Sequence, residues 1–573
     1  MRKKLLSWLN KIFLYRWVMR CAPKFRYSYY LKNCDINDNA IFLESQQGKR
    51  INGNIFYILK ELSTNELYKK YTIYLCCNET TEEKFKKVLD AYGCGKVEFV
   101  VFGTNDYMKK LATSKYLFND NVFDSFFTKR ADQVYINTWH GVPLSVVGKS
   151  LQRGMHNIGN IQKNLISADY LICPNVYAKQ KIEEDYMIEN IANGKVLLSD
   201  YPQTAALYDE QRSVEIRQEL DLENKRVYAY IPVRRGKNGQ VEDKNDLYLL
   251  YYLYELDKML ADDEVLYVRL NAAVAKNINF RECTHIRRFP AQYEPYDFLS
   301  CVDCLVTDYS NIIFDYASTN KKCILFSFDE DVYLETHKTY LSIDEFPFFR
   351  VKTIEDLINE LRSPKNYDDN EFNKKYCSYK NENASEDILK HIVLGKETNK
   401  LEEICFNKNE KKNVLVYIEG KGVAIKSAVE DFFEKADFTK NNYYLVFHVD
   451  NRKNYKNFIT ELHAEVKTFS LTGSINLGLC KKIIWKLFIK GFFQVGLFMK
   501  IFESDLACEI RRLFADVSFD SVIHLKGAGA KMLLVLSEFD CEKIMYACNN
   551  KNYKNKQYKK VLKYIRSRYD KIV

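Results

Sequence analysis

CLVTDYSNIIFDYA, residues 304 to 317, runs from an apolar stretch through a polar turn into a segment of helical periodicity. Cys304, Leu305 and Val306 form the apolar stretch, Thr307 to Ser310 the turn, and Ile312, Ile313 and Tyr316 recur on one helix face. Strand, turn and helix in that order are the repeating unit of an α/β sheet. Asp308 or Ser310 is placed to cap the helix, which leaves its first backbone N–H groups aimed above the sheet, where an anion fits. An ordinary capped helix behind a buried strand has the same letters.

A second stretch, VYINTWHGVPLSVVG at 134–148, ends a β-branched strand at Thr138 and places Trp139, His140 and Gly141 at its carboxyl end. Ligands of open α/β sheets sit at that edge. A glycine beside the histidine allows a substrate close approach, so His140 reads as a candidate proton acceptor.

Outward from these two points the strand-then-helix alternation continues. Strands are predicted at 40–44, 71–77, 97–102, 116–118, 134–138, 170–173 and 195–198, then, past a charged helical stretch at 209–224, at 227–231, 265–269, 285–289, 305–307 and 323–328. Arg235, Arg269 and the Asp308 turn fall at strand ends of that second series, and their convergence is what a phosphate site requires. After a polar stretch at 369–410, a third series is predicted at 413–418, 443–449, 465–469, 521–525 and 543–547. Residues 477–502 are apolar but carry Lys482, Lys486 and Lys490 at i, i+4 spacing, too much charge for a spanning helix. Two helices of the α/β layer, or contact with a membrane surface, account for them.

A chain of 573 residues exceeds one core, and 47% hydrophobic content excludes general disorder. The net charge of +10 suggests an anionic partner without naming it. Sixteen cysteines lie without repeated spacing, several inside apolar runs, which fits a reducing compartment. The CxxC at Cys301 and Cys304 lacks a second pair, so no metal site is expected. Residues 1–26 are basic and amphipathic, with Lys11 and Arg16 interrupting any spanning run; an interfacial helix and a helix packed on the first domain both fit.

The motifs together resemble the CDP-glycerol glycerophosphotransferase family, the teichoic-acid polymerases and primases. The resemblance rests on Phe42-Leu43-Glu44-Ser45 with Gly48-Lys49, Asn137 to Leu144, and Thr307-Asp308-Tyr309-Ser310-Asn311 with Phe314-Asp315-Tyr316-Ala317. It implies an α/β GT-B fold: two facing Rossmann-like domains at 36–215 and 216–395, preceded by the basic segment 1–35 and followed by a linker at 396–412. The segment 413–573 resembles the first half of a GT-B glycosyltransferase, through Phe519 to Gly527 and Tyr546 to Asn550, and is expected to be a Rossmann-like half-domain.

The implied reaction transfers glycerol phosphate from CDP-glycerol to a lipid-linked glycerophosphate or polymer acceptor in teichoic acid or capsule-type polymer synthesis, releasing CMP. His140 and Asn271 are the implied catalytic residues. Arg235, Arg269, Thr307, Asp308, Ser310 and Asn311 would hold the donor phosphates, and Glu44, Trp139 and Gly141 would lie on the acceptor side. No cofactor and no nucleic acid are implied, and the protein is expected at the cytoplasmic face of the membrane, peripheral to an anionic surface.

Three departures stand out. Arg269-Leu270-Asn271 replaces Arg-x-His, Val233-Arg234-Arg235 replaces Thr-Trp-Arg, and Asp200-Tyr201-Pro202-Gln203 replaces Gly-Tyr-Pro-Arg. A ribitolphosphotransferase, a nucleotide-sugar glycosyltransferase and a non-catalytic polymer-binding protein therefore stay open as alternatives.

Overall fold

The structure is a computed structural model that describes residues 25–151, 158–233, 244–420, 423–449, 455, 459, 461–489, 494–526, 530–546 and 556–573. Most of the basic segment expected at 1–35, and Arg235, lie outside these residues; 25–33 are helical.

Three parallel sheets organise the described chain. The first is begun by β1 (Asn37–Glu44), β2 (Thr72–Cys77), β3 (Val97–Val101), β4 (Ser114–Asn119), β5 (Val134–Asn137), β6 (Tyr170–Cys173) and β7 (Lys195–Leu198). The second holds β8 (Arg226–Ile231), β9 (Glu264–Val268), β10 (Ile286–Arg288), β11 (Cys304–Thr307), β12 (Lys322–Phe326) and β13 (Phe349–Val351). Next, β14 (Glu402–Cys405) returns to the first sheet and pairs antiparallel with β7. The third sheet holds β15 (Lys412–Ile418), β16 (Asn441–His448), β17 (Lys467–Leu471), β18 (Ser521–Lys526), β19 (Glu542–Met545) and β20 (Lys571–Ile572).

The strand orders are β14-β7-β6-β5-β4-β1-β2-β3, β10-β9-β8-β11-β12-β13 and β17-β16-β15-β18-β19-β20. Each sheet reverses direction beside its first strand, at β1/β4, β8/β11 and β15/β18, and such a reversal opens a crevice above the carboxyl ends. The α/β architecture of Rossmann-like sheets expected from the sequence is what the chain adopts. The third unit has the same six-strand order as the second.

Central strands read as continuous apolar runs because helices cover both faces: β9 is buried at all five positions, as is β12. One buried core runs through all three sheets, from Ile41 and Leu43 to Leu305 and Tyr316 and on to Leu415 and Val522. The outer faces have cores of their own, around Phe42 and Tyr107, Leu253 and Phe326, and Val416 and Phe447.

Two segments depart from the expected boundaries. The helix Ala384–Leu394, placed by sequence in the second domain, packs on the first: Tyr71 and Tyr116 both donate to the Val393 carbonyl, at 3.4 and 3.3 Å. The expected linker 396–412 contributes β14. The edge strands β13, β14 and β20 are too short to show an alternation, which is why the sequence does not display them.

The third unit is docked tightly on the first. Gln162 Nε2 donates to the Thr468 carbonyl at 2.8 Å, Tyr444 Oη to the Glu189 carbonyl at 2.5 Å, and the buried Arg512 to the Ser125 carbonyl at 2.7 Å. Gly159 is required there, because a Cβ at that position would lie 1.8 Å from the Ser470 carbonyl oxygen. Residues 477–502 fall largely in two helices, Leu479–Ile489 and Val495–Phe514, joined by Phe488 stacked on Phe498 at 3.7 Å. Among the described residues no helix is long and apolar enough to cross a membrane.

Candidate active site

The crevice of the first sheet holds Ser45, after β1, and Asp120, after β4, joined by a 2.6 Å hydrogen bond from Ser45 Oγ to Asp120 Oδ2. His140 enters from the end of β5, with Nδ1 3.0 Å from the Asp120 carbonyl oxygen. A carbonyl only accepts, so Nδ1 carries the proton and Nε2 keeps its lone pair. Desolvation holds the imidazole below its ordinary pKa, the contact with the carbonyl acting against that shift. His140 as a residue is exposed, so the ring is reachable from solvent.

The turn that presents His140 is locked from behind. Trp139 has φ 49° and Gly141 φ 133°, and the second value is why a glycine stands there. Trp139 N donates to Asn137 Oδ1 at 2.9 Å, while Asn54 Nδ2 reaches the carbonyls of Thr138 and Trp139, each at 3.1 Å. The Trp139 ring is buried and stacks on the imidazole at 4.7 Å, so it positions His140 and offers a ligand little surface. Glu44, expected on the acceptor side, is fully buried and accepts from Tyr107 Oη at 2.7 Å. Burial pushes its carboxyl up to about 8.

In the second sheet, Asp308 Oδ1 accepts from Val233 N at 2.8 Å and from Tyr309 N at 2.6 Å, tying the β8 and β11 ends together across the switch point. Thr307 spends its hydroxyl on the Ile231 carbonyl, at 2.7 Å, and is buried. Ser310 Oγ lies 3.5 Å from Ile312 N, a weak cap on the short helix Ile312–Ala317. Asn311 reaches the first domain: its Oδ1 accepts from Leu144 N at 3.2 Å, and a Cβ at Gly141 would lie 3.8 Å from its Nδ2. The Asp308 turn and the His140 loop therefore meet.

A cleft of about 790 Å³ opens between the two sheets, bordered by Val233, which the Asp308 carboxylate holds, and with neither His140 nor Asn311 in its lining. Lys49, Arg50 and Lys84 line it from the first domain, Arg269 and Arg288 from the second. Arg269 lies over the Phe289 ring at 5.6 Å. Asn271 also lines the cleft, and its carbonyl accepts from Val274 and Ala275 N–H at the start of the helix Ala272–Ala275. Glu294, an acidic residue in the lining, is buried and engaged by Gly53 N at 2.9 Å and Tyr57 Oη at 2.7 Å. The cleft is a cationic slot with aromatic walls, suited to a nucleoside diphosphate ester.

Arg50, Lys84 and Arg288 escaped the sequence reading. The strand-end rule that singles out Arg269 also reaches Arg288, at the end of β10, and Arg50 directly follows the Gly48-Lys49 motif. Lys84, on the helix Glu82–Ala91, gives no local signal.

The departure at Gln203 has a visible consequence. Its Nε2 bonds Tyr296 Oη at 2.8 Å and Asp315 Oδ2 at 3.2 Å, a neutral group facing a buried carboxylate. Burial raises Asp315 to about 6 and the nearby Asp200 to about 7.

A profile of the family described as CDP-Glycerol:Poly(glycerophosphate) glycerophosphotransferase matches residues 26–394. The teichoic acid poly(glycerol phosphate) polymerase of Bacillus spizizenii is 23% identical over 379 residues, 62% of this chain and 92% of that protein. The teichoic acid glycerol-phosphate primase of Bacillus subtilis is 27% identical over 290 residues, 49% of this chain and 73% of that protein. Among solved structures, the wall teichoic acid polymerase TagF superposes with a TM-score of 0.56 at 22% identity, covering 69% of this chain and 97% of that one, a likeness of fold.

Proposed function

This chain belongs to the CDP-glycerol:poly(glycerophosphate) glycerophosphotransferase family, and we propose that it transfers glycerol phosphate from CDP-glycerol to a glycerophosphate polymer or primer, releasing CMP. The observation that carries the assignment of roles is the contact of Asn311 with Gly141 and Leu144 in the loop that follows His140, together with the Asp308 turn holding Val233 in the wall of the cationic cleft. His140 Nε2 takes the proton of the acceptor hydroxyl, whose oxygen forms a bond to the β-phosphorus as the bond from that phosphorus to the CMP oxygen breaks. Arg50, Arg269 and Arg288 balance the charge that passes to the leaving phosphate, and arginines and lysines take the place a metal ion has in other phosphoryl transferases. Asn271 contributes a hydrogen-bond donor where the family resemblance leads one to expect a histidine.

The acceptor in this reading is lipid-linked and the protein lies on an anionic membrane surface. Support comes from the third unit, where Leu479, Ile483 and Leu497 are exposed on two packed helices that also carry Lys482, Lys486 and Lys500.

The deciding experiment is CMP release by the purified protein given CDP-glycerol or CDP-ribitol, with and without a glycerophosphate primer, beside His140→Ala. Primer-dependent release from CDP-glycerol that disappears in the variant supports the reading. Release from neither donor by folded protein removes it in favour of polymer binding without transfer.

A further inference from the structure

A second polar cavity, of about 370 Å³, lies where the third unit docks on the first. Its walls come from 187–190 of the first domain, 407–411 after β14, and 441–442 and 464–467 of the third unit. Four lysines line it, Lys149, Lys408, Lys411 and Lys467, against two carboxylates, Glu189 and Glu465. Lys467 pairs with Glu189 at 3.1 Å and Lys411 with Glu465 at 3.5 Å. Lys408 meets only the neutral Asn193 Oδ1, at 2.8 Å, and among the described residues no hydrogen bond or ion pair engages Lys149. Lys408 is thus left without a carboxylate, and Lys149 has only the electrostatic reach of Glu184, which does not line the cavity. Burial, and to a lesser degree the charges of Lys149 and Lys411, disfavour the Lys467 ammonium while Glu189 favours it, and a bound anion favours it further.

The cavity is preformed. Asn409 and Asn442 exchange amide hydrogen bonds at 3.2 and 2.8 Å, and Asn409 N donates to Asn190 Oδ1 at 2.8 Å. Met187 and Asn190 hold left-handed conformations, φ 52° and 67°, in the loop that forms one wall. Among the described residues no aromatic side chain lines it, so a nucleobase would find no stacking surface there, whereas ammonium and amide groups suit a phosphodiester of a polyol. Lys149 lies nine residues beyond His140 in sequence, a chain reach of at most about 30 Å.

We infer that this junction is a second subsite for the acceptor polymer, gripping phosphodiester units remote from the growing end. The inference rests on the transfer reading of the cleft, but it is tested by binding. Titration calorimetry with a long poly(glycerol phosphate) chain, a short fragment and inorganic phosphate is run on the unaltered protein, on Lys149→Gln/Lys408→Gln, and on the control Lys374→Gln/Lys375→Gln in the second domain. The first variant is expected to bind the long chain about tenfold more weakly and to lose preference for long over short acceptors in CMP release, with the control unchanged. Equal long-chain affinity in the first variant and the unaltered protein overturns the subsite, as does inorganic phosphate binding as tightly as the polymer. Absence of CMP release from the unaltered protein overturns the reading of the cleft instead, and the calorimetry then judges the junction alone.

Discussion

His140 and Asp120 are joined through the imidazole Nδ1 and a backbone carbonyl, at 3.0 Å, not through the aspartate's carboxylate. The bond fixes the tautomer without adding a negative charge that would raise the imidazole's pKa, and desolvation lowers it. The base form therefore dominates at neutral pH. CMP release should stay flat from pH 8 to pH 7 and fall only at pH below the ordinary histidine value of about 6.5. His140→Ala should reduce the rate by about 10²–10⁴-fold with an unchanged melting temperature. A pH–rate profile on both proteins checks this; an acid limb at or above pH 7 would contradict it.

Arg50→Ala and Arg288→Ala should each lower kcat/KM for CDP-glycerol by about 10- to 100-fold, the range expected for losing a charged hydrogen bond. Thr307→Val should instead leave the donor KM alone and cost about 1 kcal/mol of stability, since its hydroxyl bonds Ile231 and not the cleft. Steady-state kinetics and urea unfolding separate the two effects.

Glu44 predicts a stability profile. Its folded pKa of about 8 lies above the ordinary carboxyl value, so the folded state keeps a proton that the unfolded chain releases. Its contribution is complete below the unfolded pKa and is lost as pH rises through about 8. Glu44→Gln keeps the site neutral, so unfolding free energy measured between pH 5 and 9 should fall less steeply in the variant, with CMP release preserved.

Gly159→Ala places a methyl group against the Ser470 backbone. The variant should be destabilised by about 1–3 kcal/mol, and limited proteolysis should release the third unit earlier than in the unaltered protein.

How much of this was legible in the sequence varies by element. Strand β11 and its turn were plain, because a fully buried parallel strand is a continuous apolar run and its exit is polar. His140 was legible through its glycine and its strand end. Its hydrogen-bond partner was not, because the contact is to the carbonyl of Asp120, and a backbone group leaves no mark in sequence. Glu44 sits in a recognisable motif, yet it is buried against Tyr107, and side-chain direction at a strand end depends on register and neighbouring helices. The cleft's cations come from four separate segments, so only the packing of two sheets assembles them.

The chain leaves the first domain before the helix Glu210–Glu219 and returns by Asn381, whose N–H donates to Asp200 at 3.3 Å, before β14 and the third unit follow. The third unit is fastened to the first by hydrogen bonds at their interface, so their junction keeps a fixed position relative to His140. On the proposed reading, a polymer held at their junction travels with His140. A product gripped there stays attached while spent CMP exchanges for fresh donor in the cleft, and successive additions on one chain become processive.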